Sequence, residues 1–599
     1  MAVADCCRPM RRLRWRGPGA RREAPAPSRA VLLLAVGCLA GCGATGSASN
    51  AGPTAGGGSG GAKGGFNPGA GTGGASAGST SDAGIVNPDA PVLPPEQEVD
   101  SSFQVPVATG RYVWVANPTS GRVAYVDATT VSVKTVEAGN APTYLATVPG
   151  ATDEVIVLNA LSHDATLMQA APTGLVSTMI PGLAPLANAW AVSADGHFAL
   201  AWTDSRAALA AGTHDTLEGF QQLTAIDLRT APTLATTLAV GYRPVSITFA
   251  ADASEAYVVT GDGVSVIGLP GAGGGAVRVT RDVPLTDDPL EDADTRDVSV
   301  TATGTAVVRR EGSADVRIVD LHTSAAGVVT LSGPVTDLDV TPDGTRAVAV
   351  VRATSQVAVL PLATAVSQPT TIASETIAEQ LVGSVVITPD GAQAILYSNA
   401  AETETLVVVN LASGTYRQVR VHALVLSVVP TPDGQFAIVL HRQPSPTTGT
   451  GGSGGASPSD GGVKPADGGV ADAGSAPLLA NAFSVIPLDG TRAGRIQETT
   501  APPGAVAWAP GSDHALITVS DQKMHIYGAY LVGVPALDVT SIALASPPIA
   551  TGVVAGANRG YVAQSYSEGR ITFIPFDQGP PQTLTGFDLG ARVVDGVSP

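Results

Sequence analysis

Short apolar runs follow one another along most of this chain, each closed by turn residues. Residues 335–374 hold four of them in order: "VTDLDVTPDG", "TRAVAVVRA", "QVAVLPLAT" and "QPTTIAS". The first run leads into a turn. The second, Ala347–Val351, is apolar throughout, which is how a strand reads when both sheet faces are covered. Between them stands Thr-Pro-Asp-Gly, in which proline presets one backbone angle and glycine accepts a positive φ, so a tight turn is predicted. Third runs end in Asp or Asn plus a turn: "AYVDATT", "TAIDLRT", "RIVDLHT", "VVVNLASG".

The tight turn recurs. "TPDG" begins at Thr341, Thr388 and Thr431, spaced 47 and 43 residues apart. Weaker copies stand at Val107, Val148, Ser193, Ala250, Thr301, Ala509 and Ala557, giving ten marks. The longest interval, 78 residues from Thr431 to Ala509, contains a 35-residue low-complexity insertion at 443–477, and without it the spacing is 43. A period in the forties with four strands per unit predicts an all-β protein, a β-propeller of four-stranded antiparallel blades. Ten units exceed the usual four to eight blades, so a ring of 8–10 blades is expected over 101–599. The units resemble the YVTN-type propeller repeats of bacterial envelope proteins, above all in "YVWVANPTSGRVAYVDATT" (112–130). They lack the Trp-Asp and Gly-His signals of WD40 repeats.

A ring must pair its first and last blades or leave strand edges open. The orphan run "ARVVDGVSP" at the carboxyl end predicts that Ala591–Val597 forms the innermost strand of a blade completed by about 111–138. The competing assignment gives that place to Ser101–Gly110.

The amino end reads as an address. A basic stretch precedes the apolar run Ala30–Ala40, which is too short to span a bilayer and suits a signal peptide over 1–41. Leu39, Ala40, Gly41 and Cys42 resemble the bacterial lipobox, whose cysteine is lipidated and becomes the first residue after cleavage. That resemblance implies a membrane anchor through Cys42, in the bacterial cell envelope and at its outer membrane. Residues 42–100 are Gly-, Ser- and Ala-rich and cannot bury enough apolar surface to fold. As a flexible tether, about 50 such residues reach roughly 40 Å.

Charge narrows the partners. The net charge is −18, and residues 1–41 carry eight Arg against Asp5 and Glu23, so the remainder stands at −24. Phosphate backbones should repel such a body, and no nucleic-acid partner is expected. All four cysteines (6, 7, 38 and 42) precede the repeats, which excludes disulfides and Cys-based zinc sites from them.

Candidate chemistry is sparse. "GGSGG" at 57–61 and 451–455 matches a nucleophile elbow only in low-complexity tracts without strand-to-helix context. The eight histidines show no metal-pair spacing. The densest oxygen cluster is the loop carrying Asp287, Asp288, Glu291, Asp292 and Asp294. Calcium is the cation it would take, although its spacing is not that of an EF-hand and no glycine holds the turn position. Trp114, Trp190, Trp202 and Trp508 share no spacing, which speaks against a quinone-cofactor propeller, and no cofactor is expected. A lactonase-type hydrolase would need His, Arg and Glu converging on the central channel.

The expected function is therefore a non-catalytic, monomeric binding module for a protein or glycan. Second-to-third and fourth-to-first connections share one rim. On it fall the 203–220 loop, the 443–477 insertion and the acidic 286–297 loop, and insertions on one face of a repeat protein mark a binding face.

Overall fold

The computed structural model describes residues 105–587, except 172–173, 205–219, 231–232, 272–273, 289, 369–372, 378–379, 400–402, 444–480 and 578, together with a two-residue strand, Val36–Gly37. Ten four-stranded antiparallel blades form a ring: residues 107–137, 142–181, 189–239, 246–283, 296–330, 337–376, 384–420, 425–498, 503–543 and 548–585. Each blade is a meander in chain order, its first strand innermost. Val36–Gly37 lies parallel to Val506–Ala507, beside the first strand of blade 9.

The continuous apolar runs follow from blade stacking. In the second strand of blade 6, Ala347 and Ala349 face the core shared with blade 5, while Val348 and Val350 face the core shared with blade 7. Alternating side chains thus leave the sheet on opposite faces, and both faces are covered. Ten apolar cores fill the ten interfaces, and one of them joins Val113, Val115 and Val126 of blade 1 to Tyr561 and Phe573 of blade 10. The ring is closed.

Closure differs from the expected scheme. The innermost strand of blade 1 is Val107–Ala108, paired with Val113 and Trp114, from the segment of the competing assignment. Blade 10 is complete with its own fourth strand, Gln582–Thr585, and Ala591–Val597 lies outside the described residues. The sequence misleads here because a two-residue strand behind Pro106 carries almost no apolar signal, whereas "ARVVDGV" carries a strong one.

The "TPDG" turns recur because they hold themselves and one another. Thr341 Oγ1 donates to Asp343 Oδ1 (2.5 Å) and accepts the Arg346 amide (3.0 Å), while Asp343 Oδ1 also accepts the Thr345 amide (3.0 Å). Thr388 and Asp390 repeat this arrangement. Gly391 and Gly434 have positive φ (70° and 69°). A Cβ on Gly391 would come within 3.2 Å of Pro342, and one on Gly434 within 2.7 Å of the Asp390 carboxylate. Each turn therefore leans on its predecessor. Elsewhere the same rim is stitched by Ala251 N–H to Ala302 O (3.1 Å) and, across the closure, Gly556 N–H to Gly110 O (2.7 Å).

This collar is testable. Gly434→Ala should cost roughly 1–3 kcal/mol in urea unfolding, combining positive-φ strain with a clash. Gly414→Ala is the control, since Gly414 has φ 73° but nothing within 4 Å of its Cβ position, so only backbone strain remains. Equal costs for the two variants would mean that turn-on-turn stacking contributes nothing.

Candidate functional site: the loop rim

The two rims are unlike. First-to-second and third-to-fourth connections form the turn rim, the former stacked in the collar. The opposite, loop rim receives the connections that hold 205–219 and 444–480, the acidic loop between blades 4 and 5, the entry of the described chain at Val105 and its exit after Thr585. Among the described residues, five exposed large apolar side chains stand at this rim: Leu161, Leu290, Leu381, Met524 and Ile549.

The acidic loop is braced from below. Asp287 takes a two-pronged bond from Arg317 (2.6 and 2.9 Å), which holds its carboxyl below the usual range. Glu291 is a nearly buried hub that accepts from Thr286 (2.7 Å) and pairs with Arg296 (3.1 Å) and Arg310 (3.4 Å). Asp292 caps the short 3-10 helix Ala293–Thr295 through the Asp294 amide. Asp288 accepts the Leu290 amide (3.0 Å). These carboxylates are spread over arginines and amides rather than turned toward one point, and no three acidic or histidine side chains converge as metal ligands among the described residues. Leu290, at the tip, is 91% exposed. The loop holds an apolar side chain outward in an acidic surround.

Of the seven described histidines, none lies on an innermost strand. His197 precedes the second strand of blade 3 and His514 begins that of blade 9, and they pair with Asp195 (3.0 Å) and Asp513 (3.1 Å). A His/Arg/Glu group does assemble, which the sequence did not disclose. Arg281 Nη2 sits 3.1 Å from both oxygens of Glu255 and 3.3 Å from His322 Nδ1, and Tyr257 Oη donates to Glu255 (3.3 Å). Burial pushes the Tyr257 phenol well above its ordinary value. However, Arg281 is on an outermost strand, Glu255 opens a second strand and His322 follows a third. The group clamps blade 4 to blade 5 at the turn rim, away from the channel wall. Trp114, Trp190, Trp202 and Trp508 are all buried in inter-blade cores.

A second pair was hidden by the insertion. His441 ends the second strand of blade 8 and Ser484 lies on the third, with His441 Nε2 2.7 Å from Ser484 Oγ and Nδ1 3.2 Å from the Leu424 carbonyl. Both side chains are buried, so the pair is sealed off from any substrate. Leu39, Ala40, Gly41 and Cys42 lie outside the described residues.

No family model matches the chain, and no curated protein matches it. Among solved structures it is similar to dihydro-heme d1 dehydrogenase NirN in complex with DHE, at 11% identity and a TM-score of 0.37, over 66% of this chain and 75% of that one. It is also similar to apo AztD from Citrobacter koseri, at 12% identity and a TM-score of 0.35, over 69% and 96%. Likeness at this level bears on neither activity nor ligand.

Proposed function

We propose that this chain is a lipid-anchored protein of the bacterial cell envelope, held at the outer membrane through Cys42, whose YVTN-like propeller binds a protein or glycan at its loop rim without catalysing a reaction. The observation that carries the reading is the asymmetry of the ring: short self-capped turns line one rim, and the longest connections gather on the other. The anchor rests on Leu39–Cys42 and the apolar run before it. Cleavage ahead of Cys42 would also remove Val36–Gly37 from the edge of blade 9. Binding is preferred to lactonase-like hydrolysis because the His/Arg/Glu group that assembles among the described residues lies away from the channel.

The test has two arms. Cys42→Ser should abolish lipid labelling and leave an unprocessed precursor; unchanged labelling removes the anchor. In whole cells, a photoreactive residue placed at Leu290 or Met524 should yield one common adduct, while the same residue at Thr345 on the turn rim yields none. Equal capture from both rims would remove the loop-rim reading. Lactone hydrolysis by the purified chain, lost on changing Glu255, would favour the enzyme instead.

A further inference from the structure

We infer that the outer edge of blade 2 is a pairing surface for a second copy of this chain. This inference concerns the perimeter of the ring and does not depend on the loop-rim reading. The strand concerned, Gly174–Pro181, is the longest of the ten outermost strands, at eight residues. Its sequence, "GLVSTMIP", has no charged residue and no proline before its last position. Among the described residues no strand pairs with its outward edge.

Strand edges in soluble proteins are ordinarily blunted by charge, shortness or a covering element, because a free row of amides and carbonyls invites another chain. Eight of the other nine outermost strands follow that rule, the exception being Leu234–Ala239 of blade 3. Ser132–Glu137, Arg278–Val283, Ala373–Thr376, Tyr416–Arg420 and Arg495–Glu498 all carry charges. Ala326–Thr330 is uncharged, but the helix Leu362–Ser367 covers it so closely that a Cβ on Gly327 would lie 2.5 Å from the Ala365 carbonyl. Val539–Ala543 and Gln582–Thr585 are short, at five and four residues. The edge of blade 2 has none of these protections. It also exposes Val176 and Met179 by 59% each, beside the equally uncharged outer strand Leu234–Ala239 of blade 3.

Charge and register select the occupant. Without residues 1–41 the chain carries a net charge of −24 and repels itself over most of its surface, and screening acts beyond about 8 Å at physiological ionic strength. Two copies therefore approach most readily where both present an uncharged strip. Antiparallel pairing about a two-fold axis normal to the sheet sets residues of the same face opposite each other. Centred on Ser177, that operation places Leu175 opposite the second copy's Met179, and Val176 opposite Thr178. Inward, Ile180 and Leu175 stay seated in the cores toward blades 3 and 1, so the ring need not rearrange. The result is a continuous eight-stranded sheet across two rings, in place of the monomer expected from the sequence.

The experiment is sedimentation equilibrium on the chain from residue 43 onward, which contains all ten blades, at about 1–100 µM, a range that spans weak edge pairing. A concentration-dependent dimer is expected. Ser177→Lys, which sets two ammonium groups against each other at the axis, should leave a monomer with an unchanged melting temperature, since Ser177 is exposed. A wild-type chain that stays monomeric throughout, or an S177K variant that dimerises as well as wild type, overturns the proposal. Should S177K fail to fold, amide exchange on the wild type decides: the amides within 174–180 that do not bond to Asp164–Ala171 should become protected as concentration rises, and constant protection there overturns the proposal equally.

Discussion

Removing residues 101–110 is expected to destroy cooperative unfolding or lower the melting temperature by at least about 10 °C, whereas removing 588–599 should shift it by no more than about 2 °C. The first deletion takes away the innermost strand of blade 1. With it go the Gly110 carbonyl that accepts from Gly556 (2.7 Å) and the Pro106 carbonyl that accepts from Tyr561 (3.4 Å), both across the closure. Trp114 loses Thr109, the partner of its indole N–H at 3.0 Å. It also loses cover for a ring that is fully buried and stacked on Tyr125 at 5.2 Å. Lost pairing, an orphaned buried donor and an opened core amount to roughly 5 kcal/mol or more, at about 2–4 °C per kcal/mol for a large domain. The carboxyl deletion removes no described strand, because blade 10 ends at Thr585 and Phe587 closes its core. Differential scanning calorimetry on both truncations decides the matter. A silent amino-terminal deletion would show that the ring closes by other contacts.

Local chemistry was legible in the sequence and long-range pairing was not. Thr341, Asp343 and Gly344 lie within one turn and bond to one another, so their recurrence alone marks the first-to-second connections of blades 6, 7 and 8. Asp127 accepts the amides of Thr129 (2.8 Å) and Thr130 (3.2 Å), which is why third strands end in Asp followed by Thr. The 43-residue spacing recovered by setting aside 443–477 located a connection between second and third strands, and the placement of the three irregular loops on one rim followed from strand parity. Partnerships between blades escaped, because nothing local records them. Arg281 meets Glu255 and His322 from 26 and 41 residues away. Glu291 read as a metal ligand in the acidic string, yet three neighbours from separate elements consume its carboxylate. The free edge at Gly174–Pro181 could be read only once the outermost strands were known, since an uncharged alternation of this kind is ordinary inside a sheet.

The second large effect is a loss of stability on acidification carried by one buried side chain. Burial among apolar neighbours pulls His441 down from 6.5 to about 4, opposed only in part by its bond to the Leu424 carbonyl. Well above pH 6.5 the imidazole is neutral whether the chain is folded or not, and it contributes no pH dependence. As the pH falls below 6.5, the unfolded chain takes up a proton that the folded chain refuses, so stability declines until about pH 4, where both forms are protonated. The full decline is about 3 kcal/mol, from 1.36 kcal/mol per pKa unit. Paired aspartates such as Asp127 and Asp343 are held below 3.8 in the fold, and most of what they contribute disappears at lower pH than this window. Glu154, raised by burial alone, works in the opposite sense, and it does so equally in any variant at position 441. The measurement is therefore a difference: urea midpoints for wild type and His441→Gln at several pH values from 7 to 4. Gln retains a donor for the Leu424 carbonyl or an acceptor for the Ser484 hydroxyl, so the variant should be weaker by roughly 1–3 kcal/mol at pH 7. The gap should then close steadily as the pH falls toward 4, because only the wild type loses stability to a proton taken up at position 441 on unfolding. A gap that stays constant over that range would mean that His441 titrates normally, and that blade 8 opens at the base of its insertion far more readily than its packing implies.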